Sequence, residues 1–579
     1  MASVPNALRA TAYTWDAGAA FDYWQDPVNW VGDVGFPNSN VDTIVALSAN
    51  IILANDLGVD SSFTVKSMIT NDANASVVYA NVAGGTGRII MESDTGTAAI
   101  SAVKNSGGVR KTRYDVGITL NSNIVISSLG SIPIEFTKNI TSGINPSTLL
   151  PYTTNVTLGG SPAGSGSGSQ YTLFSAAATY TGNTIFAANL STSLGSGNGG
   201  GKLQIGGNNF APTNSVFIFN AGTITGSNAI RNQGGYFNLG GFNQEVAGLE
   251  ATAGTAVGMV TNIGSALSTL TINASSNHVF NGIISDSHTA AIGTTALAKL
   301  GIGTETLATA VNAYSGGTTV SGGVLLLSSG YAGAATHTGT TTAGAPGVVL
   351  DSVAGLFIGQ RVTSASANIP VGARIIGIVA ATNTVILSST SAAAESGITI
   401  NFAEASSLGI DNALGTGGNV LINGGTLASS VVSMWSPGNL TLTSGHLDPN
   451  QTSAGNFTLN TNKSFTMSGG IWDLNLGTQY DQILATGTGT FNISGGSFAL
   501  DVSGAGFSYD LTYQVLSGFS GGSVTNLAFT GYDSANYQAD LSNTGTLTFV
   551  AVPEAQGTVL LLLGGFVFFL RRRKPGLGV

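Results

Sequence analysis

Apolar runs in this chain are short. Most of the sequence consists of runs of three to six residues rich in Val, Ile, Leu, Thr and Phe, separated by Gly-Gly, Ser-Gly, Asn-Gly or Gly-Ser turns. Asn419-Val-Leu-Ile-Asn-Gly-Gly-Thr-Leu427, Phe465-Thr-Met-Ser-Gly-Gly-Ile-Trp472 and Phe491-Asn-Ile-Ser-Gly-Gly-Ser-Phe498 are examples. In each, a strand meets a Gly-containing turn and the next apolar run starts at once. A βαβ crossover needs a dozen or more residues, which this spacing does not leave. No stretch before residue 555 carries the apolar period of an amphipathic helix. Helices also need charged residues to solvate one face and are weakened by Gly. Here Asp, Glu, Lys and Arg make up only 8% of the chain, while Gly numbers 82 of 579 residues. A strict Gly-X-Y period is missing, which excludes collagen. Disorder requires more charge and Pro than this sequence has. What remains is a large, nearly uncharged β protein.

Longer-range similarity narrows this further. Ala178-Thr-Tyr-Thr-Gly-Asn-Thr-Ile185 and Ala313-Tyr-Ser-Gly-Gly-Thr-Thr-Val320 align on Tyr-[Ser/Thr]-Gly-x-Thr, which singles out Tyr180, Gly182 and Thr184, and Tyr314, Gly316, Gly317 and Thr318. Repeated short strands without charge predict an all-β fold, a right-handed parallel β-helix or solenoid. Inward Val, Ile, Leu and Phe would stack on their equivalents, and outward Thr, Ser and Asn would form uncharged ladders. Such a rod needs caps on its sheet edges. Tyr13, Trp15, Phe21, Tyr23, Trp24 and Trp30 are expected to cap the first coil; their alternative use is a carbohydrate-stacking platform. Cap and solenoid are assigned to 13–337. Residues 338–404, with Arg361 and Arg374 among compact apolar runs, are expected to be a small inserted β module. The solenoid resumes over 405–550.

The C-terminus has a different character. Gly557–Leu570 is an uncharged run of 14 residues followed by Arg571, Arg572, Arg573 and Lys574. As a helix it would be ~21 Å long, a short transmembrane span completed by snorkelling Arg side chains or a thinned bilayer. The positive-inside rule places the cations in the cytoplasm and the body outside. Val552-Pro553-Glu554, then the apolar run, then the Arg cluster resembles a PEP-CTERM sorting signal. That resemblance implies recognition of Val552, Pro553 and Glu554 by an exosortase-type membrane protease in a Gram-negative bacterium. It makes Arg571, Arg572 and Arg573 the membrane stop, 551–574 the sorting tail and 575–579 a cytoplasmic end. Ala555 stands where the family usually has Pro.

The body resembles the autotransporter-associated β-strand repeat proteins. The carrying residues are Leu297-Ala-Lys-Leu-Gly-Ile-Gly-Thr-Glu-Thr-Leu307, Tyr314-Ser-Gly-Gly-Thr-Thr-Val320 and Gly322-Gly-Val-Leu-Leu326, with Leu239-Gly-Gly-Phe-Asn-Gln244 and Tyr480-Asp-Gln-Ile-Leu484 also similar. The resemblance implies architecture rather than activity. The repeats are not expected to lead into a barrel of alternating transmembrane strands, so a self-translocating autotransporter is not the expectation. Met1–Thr14 contains no 7–15-residue apolar segment of a secretory signal. Ala7-Leu-Arg-Ala-Thr-Ala12 nevertheless ends in Ala-x-Ala. Residues 1–12 are therefore expected to be the remnant of an export signal, from a start recorded too far downstream or a truncated chain, or to be disordered.

Little catalytic chemistry is legible. The chain has no Cys, and its four His show no metal-ligand spacing. Net charge −10 argues against a nucleic-acid partner. Lys104, Arg110, Lys111, Arg113 and Asp115 form the one basic cluster before the tail and read as a solvated turn. Gly164-Ser-Gly-Ser-Gly168 lacks the strand-turn-helix of a nucleophile elbow. Asp22/Asp26 and Asp33/Asp42, the densest acids, lie in the expected cap. The expectation is a protein without catalytic residues, metal or cofactor, exposed at the cell surface or secreted and at least transiently anchored in the membrane. Its partners would be the sorting protease, the membrane and extracellular glycans. The alternative is a carbohydrate-active or carbohydrate-binding β-helix, which a tight acidic triplet on one face would favour.

Overall fold

The computed structural model describes residues 11–553 apart from 17, 19–22, 34, 47–49, 54–61, 72–76, 82–84, 104–110, 130–132, 160–170, 188–200, 221–234, 252–257, 287–292, 310–311, 329–334, 357–359, 388, 403–412, 431–432 and 452–453. The described chain is all-β. Its only helical segments are single 3-10 turns at Pro27–Asn29 and Ala380–Thr382.

Nearly every strand outside 335–402 pairs in parallel with the strand one turn later. Leu297 opposes Thr318, Val420 opposes Leu440 and Phe491 opposes Gly522. The step is thus 21, 20 and 31 residues respectively, the pattern of a β-helix or solenoid. Two columns of strands merge into a 27-stranded sheet. A third forms a nine-stranded sheet from Asn50–Leu53 to Ile283–Ile284 and resumes as four strands from Ser433–Ser436 to Leu516–Ser517.

Alternation decides which side chains enter the core. Thr295–Leu300 and Ser268–Asn273 bury every second residue, as a pleated strand requires. Because the register is parallel, each inward side chain lies over its equivalent. Tyr79, Tyr114 and Phe136 occupy one such row and stack with ring centroids 4.7 and 4.9 Å apart, matching the ~4.8 Å strand spacing. Phe186 and Phe219 stack at 4.3 Å.

The turns are tied together by amide side chains. Asn123 Oδ1 accepts the backbone N–H of Asn155, and Asn155 Oδ1 that of Asn183, each at 2.8 Å. Asn419 serves Asn439 at 3.1 Å and Asn439 serves Ser464 at 2.9 Å. These ladders satisfy turn donors that the sheets leave free and require no charge, in keeping with the composition.

The N-terminal end is closed. Trp15, Trp24 and Trp30 are at most 2% exposed and meet edge to face at 5.0 and 5.5 Å. Trp24 Nε1 donates to the Pro37 carbonyl and Trp30 Nε1 to that of Trp24. The outer edge of Ala12–Trp15 is covered where Asp16 N–H reaches Asn29 O and Val31 N–H reaches Thr14 O. With their rings inside, these tryptophans offer no face for stacking on a sugar. Phe21 lies outside the described residues.

Between Ala335 and Phe402 the pairing becomes antiparallel, in a six-stranded sheet with its own core around Val348, Ile375, Val385 and Ile400. The stack passes over this segment. Thr318 pairs with Val420 and Val324 with Thr426 as if nothing intervened. At the other end, antiparallel strands Tyr537–Leu541 and Thr546–Ala551 follow the last parallel ones. No helix among the described residues is long and apolar enough to cross a membrane. Gly557–Leu570 lies outside them.

Candidate functional site

The two copies of the Tyr-x-Gly-x-Thr motif form the same corner. Tyr180 and Tyr314 are buried, and each hydroxyl meets the Oγ1 of the Thr four residues on, Thr184 and Thr318, at 2.7 Å. Burial pushes both phenols up from their usual pKa, with the Thr bond acting the other way. The Thr side chains point inward among apolar rows, so the Tyr hydroxyl supplies the partner a buried hydroxyl needs. The intervening glycine has a packing reason. A Cβ on Gly182 would lie 2.3 Å from the Thr154 carbonyl oxygen, and one on Gly316 2.6 Å from that of Thr295. Gly317 has φ +91°, a conformation that favours glycine. In the first copy this position is Asn183, part of an asparagine ladder. These seven residues build corners rather than a solvent-facing site.

The Leu297–Leu307 run holds two buried charges. Lys299 faces inward, its Nζ donating to the carbonyls of Leu300, Gly301 and Gly322. Burial lowers its pKa, and the charge of Glu305 opposes that. Glu305 is fully buried. Its Oε2 accepts from Leu249 N–H at 3.3 Å, and burial holds the carboxyl well above the usual range. Opposite it in register sits His278, whose Nδ1 lies 2.9 Å from Glu250 Oε1 and whose Nε2 lies 3.1 Å from Ser276 Oγ.

A second titratable group lies on one edge of the later coils. Asp448 and Asp473 are one coil apart, because His446 opposes Ile471 and Leu447 opposes Trp472. His446 Nδ1 lies 2.8 Å from Asp473 Oδ2. Burial, then the neighbouring Asp473 charge, push the Asp448 carboxyl up to about 6. Asp481 completes the group but is fully buried. It accepts from Gly455 N–H at 2.5 Å, Asn475 N–H at 2.7 Å and Asn475 Nδ2 at 3.1 Å. Burial pushes it up to about 7 against those three donors. Asp481 is therefore a staple between turns, and two solvent-reaching carboxylates remain. Two residues along the strand from Asp473, a groove of about 400 Å³ opens between the 475–479 and 501–505 segments; Asn475, Leu476, Gln479, Asp501 and Ala505 line it, and neither Asp448 nor Asp473 does. Among the described residues no three His, Cys, Asp or Glu side chains are grouped to hold a metal ion.

The described part of the basic cluster is neutralised by acids. Lys111 pairs with Glu135 at 3.3 Å and Arg113 with Asp115 at 3.0 Å. Asp26 caps the Pro27 turn through Val28 N–H, and Asp42 accepts from Asn38 N–H. Of the sorting residues, Val552 and Pro553 are exposed at the end of the described chain. Glu554, Arg571, Arg572 and Arg573 lie outside it, as do Lys104, Arg110 and Gly164–Gly168. The acidic edge escaped the sequence reading. The available clue was the 25-residue interval from Asp448 to Asp473, which equals one coil and so places both side chains in one row.

No family model matches the chain, and no curated protein matches it either.

Proposed function

We propose that the chain is a non-enzymatic, adhesin-like structural protein of the cell surface or extracellular space. In this reading it is a right-handed parallel β-helix, interrupted by the small β module and ending in a short transmembrane helix. The tail would be handled by an exosortase-type protease, as in PEP-CTERM proteins, and the body would be of the autotransporter-associated β-strand repeat kind. The observation that carries it is the use made of the motif residues. Tyr180, Thr184, Tyr314 and Thr318 are spent on buried corners, and Lys299 on strand-end carbonyls. Such a chain invests its recurring polar residues in stacking, and its outward Thr, Ser and Asn suit weak, repeated contact with glycans. Mass spectrometry of the C-terminus of the protein from its native host, by cell fraction, tests this. A chain ending near Pro553–Ala555 outside the cell supports it. An intact tail in the inner membrane removes the sorting protease from the account, and intact protein in the cytosol defeats the whole reading.

One observation favours a carbohydrate-active alternative. Asp448, with its carboxyl at about 6, sits beside Asp473, and a groove lined in part by Asn475 and Asp501 opens two residues along the strand from Asp473. A raised acid beside a second carboxylate is the pairing glycoside hydrolysis uses. Release of reducing sugar from any of a panel of neutral polysaccharides, abolished by Asp448→Asn, would establish it; no release by the wild-type chain would reject it.

A further inference from the structure

The two ends of the stack are finished differently. At the N-terminal end the tryptophans are buried and the first strand's edge is covered. At the other end, Gly521–Val524 and Ala528–Thr530 have a strand partner on one side only, and their residues alternate between exposed and half-buried. Among the described residues, nine of the twelve half-buried apolar side chains packed against the main core come from residues 480–549. They include Phe507, Phe519, Phe529 and Tyr532, and near them Tyr509 stacks on Tyr537 at 3.9 Å. Val550 and Val552, at 61% and 44% exposure, continue the apolar surface along the departing chain.

We propose that this end of the protein rests on the lipid headgroups, with tyrosine and phenylalanine as its contact layer. The proposal builds on the reading of Gly557–Leu570 as a membrane span. The argument is one of reach. Val552 is still held to the body by its N–H bond to Asn536 O at 2.8 Å, and the uncharged run opens at Gly557. The five peptide steps between them extend to at most about 18 Å. A span starting at Gly557 therefore keeps the half-buried aromatic end at or just above the headgroup layer, where Tyr is favoured because one end is apolar and the other wet. Charge selects the lipid. From Val502 to Val552 the only ionisable acids or bases of the Asp, Glu, Lys and Arg kinds are Asp510, Asp533 and Asp540. A uniformly acidic rim fits a zwitterionic surface and is repelled by an anionic one.

The test uses the full chain, carrying a protease site after Gln556, reconstituted in phosphatidylcholine vesicles. Hydrogen exchange of 521–530 is followed before and after cleavage. The expected result is exchange slowed about ten-fold while the tail is attached, lost on cleavage, and reduced by the exposed-site variant Val550→Asp. If the tail resists alkaline extraction but exchange is unchanged by cleavage, the headgroup contact is wrong and the span stands. If the tail is extracted, the span is wrong and the contact falls with it. If protection persists after cleavage and grows with protein concentration, a second copy covers this end and the proposal is overturned.

Discussion

The buried Tyr314–Thr318 hydroxyl pair should act as a single unit in the stability of the stack. Tyr314→Phe removes one hydroxyl from a bond buried at 2.7 Å and leaves Thr318 Oγ1 without that partner. Stranding a buried hydroxyl costs about 1–3 kcal/mol, whereas replacing both partners by apolar groups of the same shape is nearly neutral. Thr318→Val alone should therefore cost a similar amount, and the double variant much less than the sum, a coupling of about 1–2 kcal/mol. The first copy supplies an internal control. Thr184 Oγ1 also lies 2.9 Å from Ser215 Oγ, so Tyr180→Phe leaves its Thr with a partner. Its cost should fall nearer the ~1 kcal/mol of an ordinary hydrogen bond. Guanidinium denaturation followed by circular dichroism measures all four variants. Additive single costs at residues 314 and 318, or equal costs for Tyr180→Phe and Tyr314→Phe, would refute the view that the motif exists to satisfy an inward Thr.

Other outcomes follow from the same geometry. Asp448 and Asp481 have carboxyls raised to about 6 and about 7; the folded state thus binds more protons than the unfolded one, and stability should fall as pH rises from about 4 through 7. Denaturation midpoints across that range check the sign, and a midpoint that rises instead rejects it. Asn439→Ala removes the acceptor for Ser464 N–H and should cost about 1 kcal/mol in the same assay; no loss would mean the ladder is ornamental. Gly316→Ala drives a Cβ to 2.6 Å from Thr295 O and should destabilise by about 1–3 kcal/mol, more than Ala at Gly521, where a Cβ would meet nothing within 4 Å and the backbone is not left-handed. Replacing 335–402 by a short Gly-Ser link should leave the parallel-sheet spectrum and its midpoint intact, because Thr318 and Val324 already pair across the segment; loss of cooperative unfolding would show that the module supports the stack.

The all-β, parallel character was legible because two local rules agree. Runs such as Phe465–Met467 and Thr490–Ile493 are too short and too closely spaced for helical crossovers, and their Gly-Gly turns fix where the chain bends. Pairing partners were less legible, since the coil length wanders between 20 residues, from Val420 to Leu440, and 38, from Ile134 to Thr172. A row such as Asp448–Asp473 emerges only once register is known. The inward placement of Lys299 and Glu305 ran against their residue type. Their positions follow from alternation with Leu297 and Leu307, a pattern that hydrophobicity alone conceals. The Tyr-x-Gly-x-Thr motif was visible as a repeat, but its hydroxyl bond needed the third dimension.

The six-stranded excursion also bears on how the chain assembles. Most coils close over little more than their own length, but from Thr318 to Val420 the growing stack must bridge 102 residues. Ala335 and Phe402 oppose each other in the antiparallel sheet, so once that sheet has formed its two ends are neighbours and the effective loop is about a third as long. Closure entropy scales with the logarithm of loop length, which makes this worth about 1 kcal/mol. The module is thus predicted to fold first and act as a knot in the string, letting the later coils find the earlier ones at nearly the ordinary cost. Stopped-flow refolding of a Gly339→Pro variant, which blocks that sheet, should then show a slow phase confined to the coils after Val420; unchanged kinetics would mean the stack crosses the gap unaided.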